Sequence, residues 1–361
     1  MKEENENQYI KGRGAQINTH NPFETHERIK ENGQWIDKDE LESLKDTQYI
    51  NTHPKSVVNK VTSPDVGMEY SLNPYQGCEH GCIYCYARNS HTYWGYSAGI
   101  EFEQKILIKE NAPELLKKKI TSRNWNPVPI MLSGNTDCYQ PAEKKYKLTR
   151  RILEMLWKHK HPVGIITKNQ LITRDIDILQ KMAKENLVKV SMSITTLDES
   201  LRAKMEPRTA TGKNRIKTVE KLAVAGIPVN IMMAPIIPSI NDKEIFDIAK
   251  ETSVAGASSF NYTMVRLNGA ISELFNDWIN KCYPHKAQRV LHQIESCHGG
   301  SLNDSQFGRR MKGDGNIAEV IKQQVKMARE KYFSGRSMPE YDKSLFQKNE
   351  SNQLSLFSCN Q

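Results

Sequence analysis

A chain of 361 residues with a formal net charge of +9, 38% hydrophobic and 26% charged residues is long enough for one large α/β domain with extensions, or for two ordinary domains. It has no run of eighteen apolar residues, so no membrane-spanning helix is expected; the opening "MKEENENQYIKGRGAQ" has no apolar segment behind its charges and does not read as a secretory signal, which makes the cytosol the expected compartment. The positive charge admits a polyanionic partner such as nucleic acid, and equally a basic protein without one.

Residues 1–65 are polar and lack sustained periodicity. "HERIKENGQW" and "DKDELESLKD" are candidate surface helices in an N-terminal arm that wraps the core or is partly disordered. A strand near 68–74 opens the main domain, 66–300. "PVPIMLSG" (127–134) reads as a strand, and "KKYKLTRRILEMLWKHK" (144–160) as a helix with Leu148, Ile152, Met155 and Leu156 at helical spacing. Strands follow at 163–168, 188–194, 227–237 and 259–267. They alternate with helices at 174–186, 214–226 and 242–256, the last two ending at glycine. Two further helices span "AISELFNDWINKC" and "KAQRVLHQIESC". A helix near 316–332 ends a closing segment, 301–332, and residues 333–361 read as a flexible tail.

Strand–helix alternation predicts an α/β fold with a parallel sheet of about six βα units, its strands apolar on both faces. Polar residues gather toward the strand ends: Ser133, Asn135, Thr136, Asp137, Lys168, Ser191, Ser193 and Asn261. In parallel α/β folds ligands bind at the C-terminal edge, so these residues and the cysteine loop described next are expected to share one cavity.

"NPYQGCEHGCIYCYAR" (73–88) places Cys78, Cys82 and Cys85 in a C-x₃-C-x₂-C run, three of only seven cysteines. Structural zinc wants a fourth ligand, here His80, His91 or a distant group. A disulfide strands one thiol. A 4Fe-4S cluster held by three thiolates leaves one iron open to a small molecule, and the neighbouring glycines let the loop wrap it closely. The cluster is the leading reading.

This C-x₃-C-x-aromatic-C pattern, with Tyr84 as the aromatic, resembles the radical S-adenosylmethionine superfamily. "SLNPYQGCEHGCIYCYAR", "SGNTDCYQP", "ITTLDESLRAKMEPRTAT" and "GIPVNIMMAPIIPSIND" further resemble its spore photoproduct lyase-like branch, often labelled DNA repair photolyase. The resemblance implies a partial (β/α)₆ TIM barrel with Cys78, Cys82 and Cys85 ligating a 4Fe-4S cluster. It also implies S-adenosylmethionine on the open iron, an electron from a flavodoxin- or ferredoxin-type donor, and a 5′-deoxyadenosyl radical that abstracts hydrogen from a nucleic-acid, lesion-like substrate. Tyr84 is then expected against adenine, Thr136 and Asp137 at the methionine amino group, Lys168 at its carboxylate, and Ser193 at the carboxylate or ribose. Arg208 is expected on the cofactor or a substrate anion. Each of these has a structural alternative, such as a capping turn, a rim lysine or a buried serine.

Photoproduct lyases carry Cys-Thr-Ser-Asp where this chain has Gly134-Asn135-Thr136-Asp137, so a different substrate in the same reaction class is expected. Cys138, with Tyr139 as relay, is a candidate hydrogen donor; the rival is a buried apolar cysteine. The other functional readings are radical chemistry on a small metabolite, peptide or tRNA, and a zinc-bound nucleic-acid adaptor without catalysis.

"QLSLF" resembles the pentapeptide that docks bacterial proteins on the sliding clamp, with Leu354, Leu356 and Phe357 as apolar anchors and Gln353 adding hydrogen bonds. In "FGRRMKGDG" (307–315), Arg309, Arg310 and Lys312 are candidate phosphate contacts, against a solvated loop.

Overall fold

The computed structural model describes residues 9–23 and 46–348. In chain order their strands are β1 (Gln48–Thr52), β2 (Val58–Lys60), β3 (Tyr70–Leu72), β4 (Tyr75–Gln76), β5 (Lys105–Lys109), β6 (Ile130–Leu132), β7 (Val163–Thr167), β8 (Val188–Ser193), β9 (Val229–Ile236) and β10 (Ser259–Met264). The main sheet has the order β10-β9-β8-β7-β6-β3-β2. It is parallel from β3 to β10, with β2 antiparallel at one edge. β10 and β2 are its two open edges, so it is not a closed barrel. A second sheet, β1-β5-β4, was not expected from the polar sequence before residue 65.

Helix ends set where the strands begin. After Gly212–Val224, Gly226 takes φ +74°; its N–H returns to Ala223 O and that of Ile227 to Leu222 O. After Ile245–Val254, Gly256 takes φ +91°, with the same bonds from Gly256 to Ser253 and Ala257 to Thr252. This is the Schellman termination, which needs a left-handed residue after the helix and therefore favours glycine. The chain then turns directly into β9 and β10.

The expectation of strands apolar on both faces is met by β7 and fails at β8. β8 alternates: Val188, Val190 and Met192 enter the core with Leu153, Leu179, Leu222 and Ile248 of the flanking helices, while Lys189 and Ser191 line a groove on the other face. Full burial of each such aliphatic chain stabilises the fold by roughly 1.5–3 kcal/mol. The groove, about 790 Å³, also takes in Asn230, Ser259 and Asn261. There Asn230 Oδ1 accepts from Ser259 Oγ at 2.8 Å and from Asn261 Nδ2 at 2.7 Å. No described helix lines this groove; loops and the segment at 338–343 do, so that face can stay polar.

Two peripheral segments lie on this frame. Residues 9–23 pack on the turn at 97–104 and on the cysteine loop. A Cβ at Gly14 would fall 1.6 Å from Gly81 O. The N–H groups of Gly14 and Ala15 donate to Glu103 at 3.2 and 2.8 Å. Glu103 is fully buried and pairs with the equally buried Arg88 at 2.5 Å; Arg88 also donates to Cys82 O, Ala98 O and Gly99 O. Where a flexible tail was expected from 333, Tyr341 donates to Val163 O at 3.3 Å and Phe346 packs edge-on to His161. No described helix is long and apolar enough to cross a membrane. The two candidate helices before residue 46 fall almost wholly outside the described residues, and "QLSLF" lies entirely outside them.

Arg88→Met strands the Glu103 carboxylate in the interior, and a broken buried pair costs about 3–5 kcal/mol. Urea unfolding should register that loss as a lower midpoint at unchanged slope. A loss under about 1 kcal/mol, the range of a surface pair, would show that water reaches Glu103.

Candidate active site

β4 hands the chain to the cysteine loop. Gly77 (φ +79°) and Gly81 (φ +67°) turn it where a Cβ would meet Lys105 O at 2.6 Å and Glu103 Oε2 at 2.8 Å, respectively. Backbone bonds pin it at Cys78 N–H to Phe102 O (2.9 Å) and Ile83 N–H to Met205 O (3.1 Å). Glu79 fastens its middle, donating its N–H to Gln140 Oε1 and accepting from Ala142 N–H and Tyr49 Oη. So held, Cys78, Cys82 and Cys85 stand on the wall of one cavity of about 260 Å³, none in a disulfide.

Burial pushes all three thiols up, Cys82 to about 12 against the opposing pull of Lys168. Such thiols keep their protons unless a metal displaces them. Among the described residues no three His, Cys, Asp or Glu converge as ligands of a single ion. Of the two histidines expected as a fourth zinc ligand, His80 is engaged elsewhere and His91 does not line the cavity. His80 Nδ1 lies 3.3 Å from Asp137 and its Nε2 3.1 Å from Asn169. His91 is packed against Tyr96 and Phe102, where burial lowers it to about 4. Three desolvated thiols around a cavity suit a multi-iron cluster better than one zinc ion.

The turn after β6 supplies the next part of the wall. Ser133 takes φ +67° and its Oγ accepts from Cys138 N–H at 2.7 Å. Thr136 and Asp137 line the cavity as expected, but their polar atoms face protein. Thr136 Oγ1 donates to Tyr75 O at 2.5 Å. Asp137 accepts from Thr167 Oγ1 (2.8 Å), Lys168 N–H (2.9 Å) and Tyr139 N–H (2.8 Å). Burial would raise Asp137; His80 and these donors outweigh it and hold the carboxyl below its ordinary range.

At the C-terminal ends of β7 and β8, Lys168 and Ser193 meet on the wall, Nζ to Oγ 3.2 Å, with Nζ 5.8 Å from the Tyr84 ring centre. Burial works against the ammonium, while Cys82 and Glu206 keep it charged. Glu206 is the hub beneath. Fully buried, it accepts from Tyr84 Oη, Arg215 (2.5 Å) and Thr195 Oγ1 (2.7 Å). Burial raises its pKa, but Arg215 and Lys168 bring the net value down to about 2. The sequence reading singled out Arg208 in this loop and passed over Glu206 and Arg215. Arg208 donates to Thr47 at 3.3 Å and is not on the cavity wall.

Several other candidates are not brought to the cavity. Cys138 is fully buried in the core, and Tyr139 donates to Asp175 at 3.0 Å; neither lines the wall. A side chain at position 134 would set its Cβ 2.7 Å from Ser71 Cβ, so glycine there is a packing requirement. Arg309 binds Asp304 at 2.6 Å, Arg310 binds Asp65, and Lys312 Nζ lies 4.2 Å from the Tyr262 ring centre. Ser191 and Asn261 face the lower groove. Unexpected on the wall are Tyr86, half exposed and donating to Gly134 O at 2.6 Å, the methionines 68, 232, 264 and 311, and Arg266. Tyr86 was legible from its place beside Cys85. The methionines were not, because an inward strand position looks like a core position in sequence.

A family model described as the Radical SAM superfamily matches residues 72–252, which includes the cysteine loop and strands β6 to β9. An uncharacterized protein of Mycobacterium bovis is 29% identical over 238 residues, 65% of this chain and 70% of its own. One of Methanocaldococcus jannaschii is 30% identical over 243 residues, 67% and 86%. In fold, the chain is similar to spore photoproduct lyase complexed with dinucleoside spore photoproduct, at TM-score 0.59 and 16% identity over 80% of each chain. Half the sequence follows the family model, and its cysteine run is the one that folds onto the cavity wall: the chain belongs to the radical S-adenosylmethionine superfamily.

Proposed function

We propose that the chain is a radical S-adenosylmethionine enzyme acting on nucleic acid. The observation that carries the enzyme reading is that one wall joins Cys78, Cys82 and Cys85 to Lys168, Ser193 and Tyr84. The superfamily uses a 4Fe-4S cluster and S-adenosylmethionine, which when bound supply reductive cleavage of the cofactor and hydrogen abstraction from a substrate. The three cysteines would hold the cluster. Lys168 presents a half-buried positive charge, steadied by Ser193, to an anionic group such as a carboxylate. Glu206 fixes the Tyr84 hydroxyl and so the attitude of its ring toward the cavity. Asp137, occupied by His80 and backbone donors, fixes the cysteine loop against the strand ends. The methionines exclude water from the reacting centre.

The open sheet is read as the partial (β/α)₆ barrel. One small cavity gathers residues from the ends of β6 through β10, which a flat sheet would spread over roughly 19 Å at about 4.8 Å per strand. In this reading residues 66–300 form the catalytic unit. Nucleic acid is favoured by the net charge of +9 and by the likeness in fold to a protein solved with a dinucleoside lesion. Repair of that same lesion is not proposed, because position 134 has no room for a thiol. A flavodoxin- or ferredoxin-type protein is the proposed electron donor. "QLSLF" is proposed to dock on a sliding clamp. Gln347, six residues before it, bonds His159 at the strand entry side, away from the cavity.

Protein reconstituted without oxygen should be brown and, once reduced, should convert S-adenosylmethionine to 5′-deoxyadenosine, with Cys82→Ala removing both; colourless protein holding one tetrahedral zinc would sink the reading. Lesion-bearing DNA deuterated at candidate positions should pass deuterium into 5′-deoxyadenosine, whereas transfer only from peptides, metabolites or tRNA would reassign the substrate. Deleting 353–357 should abolish clamp binding in a pull-down and spare cofactor cleavage; equal binding by both forms, or by neither, removes the clamp.

A further inference from the structure

The cations near the cavity are unequally neutralised. Arg309 and Arg310 are paired with Asp304 and Asp65, and Arg310 also donates to Ser63 Oγ at 2.5 Å. Arg266, two residues beyond β10, is different. It is half-buried on the cavity wall and makes no hydrogen bond or ion pair with any described residue. Asp65 and Asp304 are within electrostatic reach, yet each already serves another arginine. Burial and the like charge of Arg310 push the Arg266 guanidinium below its ordinary range. A partly desolvated cation without a bonded counter-ion is costly until an anion arrives.

Its surroundings narrow the ligand. Met68, Met232, Met264 and Met311 give the wall a deformable thioether surface, and Tyr86 adds an aromatic ring. Thioethers and aromatic rings suit a flat, uncharged body. The guanidinium fork matches phosphate oxygens in bidentate geometry. An anion anchor beside an apolar pocket matches a nucleotide, whose base is flat and whose backbone carries the charge.

We propose that Arg266 anchors a phosphodiester of the substrate strand while one base enters the methionine-lined cavity. This rests on the nucleic-acid reading above and adds the residue that grips the backbone. The loop arginines 309 and 310 stabilise the closing segment and do not meet the strand.

Anisotropy of a labelled single-stranded oligothymidylate of about ten nucleotides, titrated with the full chain across a salt series, tests this. Arg266→Gln should weaken binding about tenfold and reduce the slope of log K against log salt by about 0.7, with Arg266→Lys falling between. On a methylphosphonate strand, whose backbone is uncharged, parent and Arg266→Gln should bind alike. The proposal is overturned if the parent does not bind the charged strand, if Arg266→Gln keeps parental affinity and slope, or if it loses as much on the neutral strand. An equal loss of S-adenosylmethionine affinity by equilibrium dialysis would also overturn it and assign Arg266 to the cofactor. Failure of the cluster reading appears separately, as colourless protein without cofactor cleavage.

Discussion

Arg88 and Glu103 are both withdrawn from water, and the cysteine loop hangs on their pairing. The guanidinium holds Cys82 O, Ala98 O and Gly99 O; the carboxylate holds Gly14 and Ala15. One ion pair therefore joins a segment near residue 14, the loop at 82 and the turn at 98–103, which are far apart along the chain. A buried pair of this kind adds little net stability over an apolar packing. It does penalise every arrangement in which one partner is left alone. The loop thus has one well-defined seat, and three thiols keep their places on a wall without help from a disulfide.

A second buried pair, Glu206 with Arg215, organises the other side of the cavity in the same way. Glu206 aligns Tyr84 and helps keep Lys168 charged, and Lys168 in turn eases the ionisation of Cys82. The cysteine thiols and the Lys168 ammonium therefore share one electrostatic unit. Removing any member changes the charge felt by the rest, so substitutions here should not be additive.

The parallel sheet was readable because helix and strand periods differ and glycines at 226 and 256 mark helix ends. The strands at 163–168 and 188–194 fall within a residue of those observed. What each strand faces was not readable. β8 looks apolar enough to be buried on both sides, yet Lys189 and Ser191 face a groove, a fact that depends on which neighbours cover the sheet. The same blindness put Cys138 among the candidate donors and missed Arg266. Sequence shows a thiol or a cation; only packing shows whether it reaches a cavity.

The amino-acid order alone determined the superfamily, the alternation of strands and helices, and the three cysteines, because these are local spacings that no tertiary contact needs to complete. Tertiary structure decided which charges are cancelled. Arg309 and Arg310 meet carboxylates, Arg266 does not, and Arg208 turns to Thr47, off the cavity wall. Charge compensation is a property of distance in three dimensions, and residues 65 and 310 are neighbours only once the chain has folded.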